Sequence, residues 1–256
     1  MDLTIPEYLA TIDPFLRALP VGLVLMLIWI GSFRIPGGAD GRFALAGILT
    51  GGLLGWLALA EYIGARNIYW TPNTPNVPLI AFGILVPIAL GLRLLLRSAG
   101  VARLVDALPL SWLVGVQFYR ALGVVFLMLW ADGYLPWQFA WPAGIGDVMT
   151  GVLALYVAWM LAKGAPGGRA GARAWCLFGI ADLVVAVTMG ALTSPGLLNV
   201  ISTDEPNMLV TAYPLVMIPT FAVPLSIMLH GLCLWKLRRM GPAGQGAAGQ
   251  GARISA

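Results

Sequence analysis

Residues 110–131 read LSWLVGVQFYRALGVVFLMLWA, an apolar run carrying a single charge, Arg120. At ~1.5 Å per residue, such a run crosses the ~30 Å hydrocarbon core of a bilayer as one helix. Its apolar residues are continuous and do not alternate, which argues against a strand of a membrane barrel.

Comparable runs flank it on both sides. Spans are read at 15–33, 43–62, 78–96, 110–131, 142–162, 174–192 and 209–235. Composition agrees: of 256 residues, 59% are hydrophobic and only 10% charged, with mean hydropathy +0.87. Soluble domains carry about 25% charged residues. A soluble enzyme, a disordered chain and a nucleic-acid binder are thereby excluded. The fold class is all-α, a polytopic transmembrane bundle of seven helices. Residues 1–240 read as one transmembrane domain, and the Gly/Ala/Gln-rich residues 241–256 as a disordered tail.

Loop cations set the orientation. Arg34 and Arg42, then Arg93, Arg97 and Arg103, then Lys163, Arg169 and Arg173, and finally Lys236, Arg238, Arg239 and Arg253 fall on one side. Only Arg17 and Arg66 fall on the other. Positive loops stay in the cytoplasm, so the N-terminus is expected outside and the C-terminus inside. The start, Met1 to Glu7, is acidic and lacks a signal-peptide pattern, so it is expected to be retained. Trp and Tyr residues, among them Trp130, Trp141, Trp159 and Trp175, are expected in the interfacial belts. Gly47, Gly51 and Gly55 form a ridge on span two on which another helix is expected to pack. Pro214, Pro219 and Pro224 are expected to kink span seven, and Pro-rich residues 71–78 to be extended.

Ionisable groups within membrane spans are costly and point to function. Arg120 lies ~16 Å from the outer end of span four, and Asp182 ~15 Å from that of span six. Equal depth predicts that they pair. Asp147 lies only ~7 Å into span five, where no cation is obvious in the sequence. Gln117, Tyr119 and Tyr156 are candidate neighbours in the same pocket, and His230 is placed at the cytoplasmic end of span seven. Cys176 and Cys233 are expected as free thiols on the reducing side. A single His excludes bis-histidine haem within one chain, and no Lys inside span seven offers a Schiff base for retinal. No metal and no cofactor is implied.

The string Gly144-Ile145-Gly146-Asp147 resembles the GxGD signature of intramembrane aspartyl proteases. That resemblance implies Asp147 and Asp182 as an acid–base pair. Two departures stand against it: Asp182 follows the motif where the presenilin-like partner precedes it, and the Pro-Ala-Leu motif is absent.

Longer stretches resemble a family of uncharacterised bacterial seven-helix inner-membrane proteins. They are Gln117 to Gly123, Leu135 to Asp147, Gly179 to Leu183, and Ile218 to Leu225 with His230. The likeness runs over about 115–235. It implies a multi-pass protein of the bacterial inner membrane and singles out Arg120, Asp147, Asp182 and His230, but supplies no substrate. The leading expectation is a buried polar pocket that binds or transports a small solute with the lipid bilayer as its surroundings, proton-coupled at Asp147. The alternatives are an intramembrane enzyme using Asp147 and Asp182, and a structural or accessory subunit.

Overall fold

A computed structural model describes residues 5–36, 38–70, 78–204 and 206–241. The expected disordered tail and most of the Pro-rich 71–78 stretch lie outside these residues. Among the described residues the regular structure is helical, with no strand. Seven helical segments are long and apolar enough to cross a membrane. They are α1 (Glu7–Arg34), α2 (Ala39–Ala65), α3 (Leu79–Arg97), a composite fourth span (Leu110–Ala131), α7 (Trp137–Ala162), α8 (Gly168–Thr193) and a seventh (Ile218–Arg239). A short helix, α4 (Ala99–Ala107), joins spans three and four.

Two boundaries differ most from the sequence reading. Helix α1 starts at Glu7, not at residue 15, so Asp13 and Arg17 are helical. The anionic Glu7 in its first turn suits the positive end of the helix dipole. Span seven starts at Ile218, not at 209, behind a 3₁₀ turn at Leu209–Thr211. Pro214 therefore precedes the span, and Pro224 sits in the first turn of α9 (Val223–Arg239), where a missing N–H costs nothing. Pro219 lies in a π turn, Ile218–Ala222, that opens the span.

The fourth span is not one α-helix. It runs as α5 (Leu110–Gly115), a 3₁₀ segment (Val116–Gly123) and α6 (Val124–Ala131). Runs of 3₁₀ helix beyond three or four residues are uncommon and mark functional or strained sites. With three residues per turn, Gln117 and Arg120 share one side. The segment lies tightly on α7: a Cβ at Gly151 would meet Phe118 O at 3.0 Å and overlap the Ala121 backbone.

Helix α7 packs against α8 and the 3₁₀ segment, while α9 packs against α3 and α8. The apolar core divides around the polar centre. An outer cluster includes Leu9, Phe126, Phe139 and Leu215, and an inner one includes Leu110, Val114, Trp175, Cys176 and Cys233. Both cysteines are free and buried. Trp175 is buried in that inner cluster and donates to Thr150 O at 2.9 Å, so it is not a belt residue. Among the described residues no other helix packs onto the Gly47/Gly51/Gly55 ridge: a Cβ at each would have nothing within 4 Å.

The two ends of the bundle are tied separately. Tyr8 donates to Asp132 at 2.9 Å, joining the start of α1 to the turn after α6. At the other end Lys236 is buried and donates to the carbonyls of Val105 at 2.5 Å and Leu108 at 2.6 Å. Its ammonium thereby caps the negative end of α4. Arg239 pairs with Asp106 beside it and holds that carboxyl below its usual range.

Candidate functional site

Arg120 is the hub of the site. The 3₁₀ segment delivers it into the bundle, where its side chain is 2% exposed. Its Nε donates to Asp147 Oδ1 at 2.7 Å, and Nη2 lies 2.6 Å from the same oxygen. The same Nη2 donates to Asp182 Oδ2. Nη1 donates to Gly179 O at 3.2 Å and reaches His230 Nε2 at 3.3 Å. A guanidinium has only donors, so Nε2 accepts and the ring proton of His230 resides on Nδ1. That Nδ1 is buried without a partner.

Three glycines make room for these groups. A Cβ at Gly123 would overlap the Asp147 side chain, one at Gly146 the Asp182 carboxylate, and one at Gly179 the His230 ring. Each neighbouring helix thus yields its backbone to the charged side chain of the next.

The sequence-predicted residues divide clearly. Arg120, Asp147, Asp182 and His230 meet in one cluster. His230 therefore lies near the middle of the seventh span and not at its end, because that span runs from Ile218 to Arg239, against 209–235 in the sequence reading. Gln117 is fully buried beside the hub, with neither amide atom hydrogen-bonded, and Thr150 Oγ1 is likewise unpartnered. Tyr119 turns to α9, its hydroxyl 2.8 Å from Ser226 Oγ. Tyr156 does not join the site: it is 56% exposed and stacks on Trp159 at 6.0 Å on the outer surface of α7.

A second ionic group was not foreseen. Arg17 pairs with Asp13 and Glu61, and Tyr213 donates to Glu61 Oε1 at 2.6 Å. Burial, with the bond to Glu61, raises the Tyr213 phenol above its usual range. An earlier start for α1 is the signal that would have found it, since Asp13 and Arg17 are then one turn apart.

Cavities adjoin the cluster. A cleft of about 130 Å³ lies among α3, α8, the 194–198 loop and the start of span seven; Tyr69, Pro78, Phe126, Ala191 and Val223 line it together with Asp147. A smaller space of about 40 Å³ shares Phe126, Asp147 and Val223 with it and is also lined by Arg120 and Tyr119. Asp147 is the most exposed of the three charged side chains, at 14% against 6% for Asp182 and 2% for Arg120.

One guanidinium between two carboxylates leaves one excess negative charge when both are ionised. A proton or a cation neutralises it. The guanidinium Nη2 contacts one oxygen of each carboxylate, so the cation bridges them and, among the described residues, they make no hydrogen bond to one another as an acid–base dyad would. Among the described residues no three His, Cys, Asp or Glu side chains are grouped to hold a metal.

Residues 74–238 match a family described as a domain of unknown function, DUF8737. No curated protein and no solved structure matches the chain. The match spans the composite fourth span, α7, α8 and α9, which carry the whole cluster, and the chain belongs to the DUF8737 family.

Proposed function

We propose that this multi-pass membrane protein binds or transports a small solute in the outer cleft, with Asp147 as its anchor. The observation that carries this is a largely apolar cleft that has the charged side chain of Asp147 among its lining residues. Proton uptake belongs to the same site. The charged and titratable groups that face one another there are Arg120 from span four, Asp147 from α7, Asp182 from α8 and His230 from α9. Exchange of a proton for a bound monocation keeps the cluster's charge constant within the membrane, where an uncompensated charge is costly. The loop cations support an external N-terminus and a cytoplasmic C-terminus, and in this reading the cleft mouth opens on the outer side of a bacterial inner membrane. Residues 1–240 act as one transmembrane domain in this reading.

The test is chemical access. Asp147→Cys, in a chain whose Cys176 and Cys233 are changed to Ala, is expected to react with a membrane-impermeant cationic methanethiosulfonate added from outside. Filling the cleft with Ala191→Trp is expected to slow that reaction by about tenfold or more. A thiol at 147 that is inert from both aqueous faces would refute the proposal.

A further inference from the structure

We propose that the solute is a lipophilic organic monocation that reaches the cluster sideways from the bilayer, through the groove between α7 and α8. This deepens the reading of Asp147 as an anchor and rests on it.

Trp141, Ile145, Met149, Phe178 and Val185 line the groove, and Asp182 lines it with them. Each of those five is an exposed large apolar side chain. In a chain that spans a membrane, such a face meets lipid. A carboxylate among the lining residues of a lipid-facing groove is costly unless it is paired or has a task.

Each carboxylate uses one oxygen on Arg120 and leaves the other unbonded. Asp147 engages Arg120 through Oδ1 and Asp182 through Oδ2. Among the described residues no hydrogen bond goes to Asp182 Oδ1, although the side chain is only 6% exposed. That oxygen lies where a Cβ of Gly146 would stand, and Gly146 lines the groove. The absent side chain thus lets the carboxylate of α8 pack onto the backbone of α7, at a position where both residues line the groove. Asp147 faces the outer cleft instead. One guanidinium therefore joins two carboxylates that look into two different openings.

Charge and wall chemistry select the occupant. The cluster's excess of one negative charge complements a monocation. An inorganic cation demands several oxygen ligands, as calcium and magnesium do, and the apolar groove offers one carboxylate. An ammonium on an apolar body needs one carboxylate and apolar walls, which the groove provides. The guanidinium, held by both carboxylates, links the two openings, so a cation arriving at Asp182 loosens the hold of Arg120 on that side and favours its contact with Asp147.

The full-length protein in phosphatidylcholine nanodiscs, with tritiated decylamine as the probe, tests this directly. Decanoate and decanol share its length and differ in charge. Saturable decylamine binding is expected, with competition by decanoate and decanol at least about tenfold weaker than by unlabelled decylamine. Ala181→Trp fills the groove from an exposed position and is expected to slow association by about tenfold or more, whereas Ile48→Trp, at an exposed apolar position of α2 that lines neither opening, leaves association unchanged. Asp182→Asn, nearly isosteric, is expected to weaken binding by a similar factor. Equal competition by the three chains shows a groove filled by any acyl chain and overturns the cation. Loss with Ala191→Trp but not with Ala181→Trp overturns lateral access and leaves the Asp147 cleft standing. Absence of saturable binding, with the thiol at 147 still reactive from outside, overturns the substrate class but not the anchor; an inert thiol overturns the anchor itself.

Discussion

A guanidinium shared by two carboxylates responds to mutation differently from a simple ion pair. Arg120 is bonded to both Asp147 and Asp182, and through Nη1 to Gly179 O and His230. Arg120→Leu leaves two carboxylates and no cation among them, whereas Asp182→Asn leaves a neutral Arg120–Asp147 pair. Stranding buried charge costs about 3–5 kcal/mol in soluble proteins. Arg120→Leu is therefore expected to lose stability on that scale, and Asp182→Asn to lose about 1 kcal/mol, the worth of one hydrogen bond. Reversible unfolding in detergent micelles measures both. Equal losses would mean that Arg120 serves Asp182 alone. Much of this cluster was legible at the residue scale, because a charge in an apolar run is conspicuous and depth follows from counting. Two things were not. Asp147 lies nearer the outer end than Arg120 by count, but a long flexible guanidinium spans the offset. His230 was misplaced because its depth was counted from a helix start that the chain does not use.

At the scale of the element, the informative residues are those that add nothing. Gly123, Gly146 and Gly179 each receive a charged or polar side chain from the next helix. Gly47, Gly51 and Gly55 receive nothing from the described residues. Sequence spacing makes the second set look like the packing motif, since it repeats every four residues, whereas the first set lies on three different helices and has no common period. Gly146→Ala is expected to displace the Asp182 carboxylate and lower stability by about 1–3 kcal/mol, the usual cost of overpacking. Gly51→Ala is expected to leave the monomer unchanged or to stabilise α2 by up to about 1 kcal/mol, the propensity difference. Thermal unfolding of the two variants side by side separates them, and a destabilising Gly51→Ala would reveal a partner packed on that ridge. The 3₁₀ segment was likewise illegible. Apolar periodicity does not report a change from 3.6 to three residues per turn within a continuously apolar run. Its physical cause is the contact of Phe118 and Ala121 with Gly151, which the sequence places thirty residues away.

On the scale of the whole molecule, the bundle has two chemically different ends. One carries the Tyr8–Asp132 bond, the Arg17–Glu61 group and the cleft mouth at 194–198. The other carries the buried Lys236 on the end of α4, the Arg239–Asp106 pair, and most of the loop cations. Alternation of helices requires that the turn after α6 and the loop after α8 share a side, and that the α7–α8 turn lie opposite. In the proposed orientation, which rests on the positive-inside rule, the second end faces the cytoplasm. Leu198 lies in the loop after α8, and Lys163 in the turn after α7; both are exposed. In intact cells, Leu198→Cys is expected to react with an impermeant maleimide, and Lys163→Cys only after the membrane is opened. Reaction of both from one side would break the alternation and with it the seven-span fold. Reaction of Lys163→Cys alone in intact cells would invert the protein, place the cleft mouth in the cytoplasm, and turn the Asp147 site into one loaded from within.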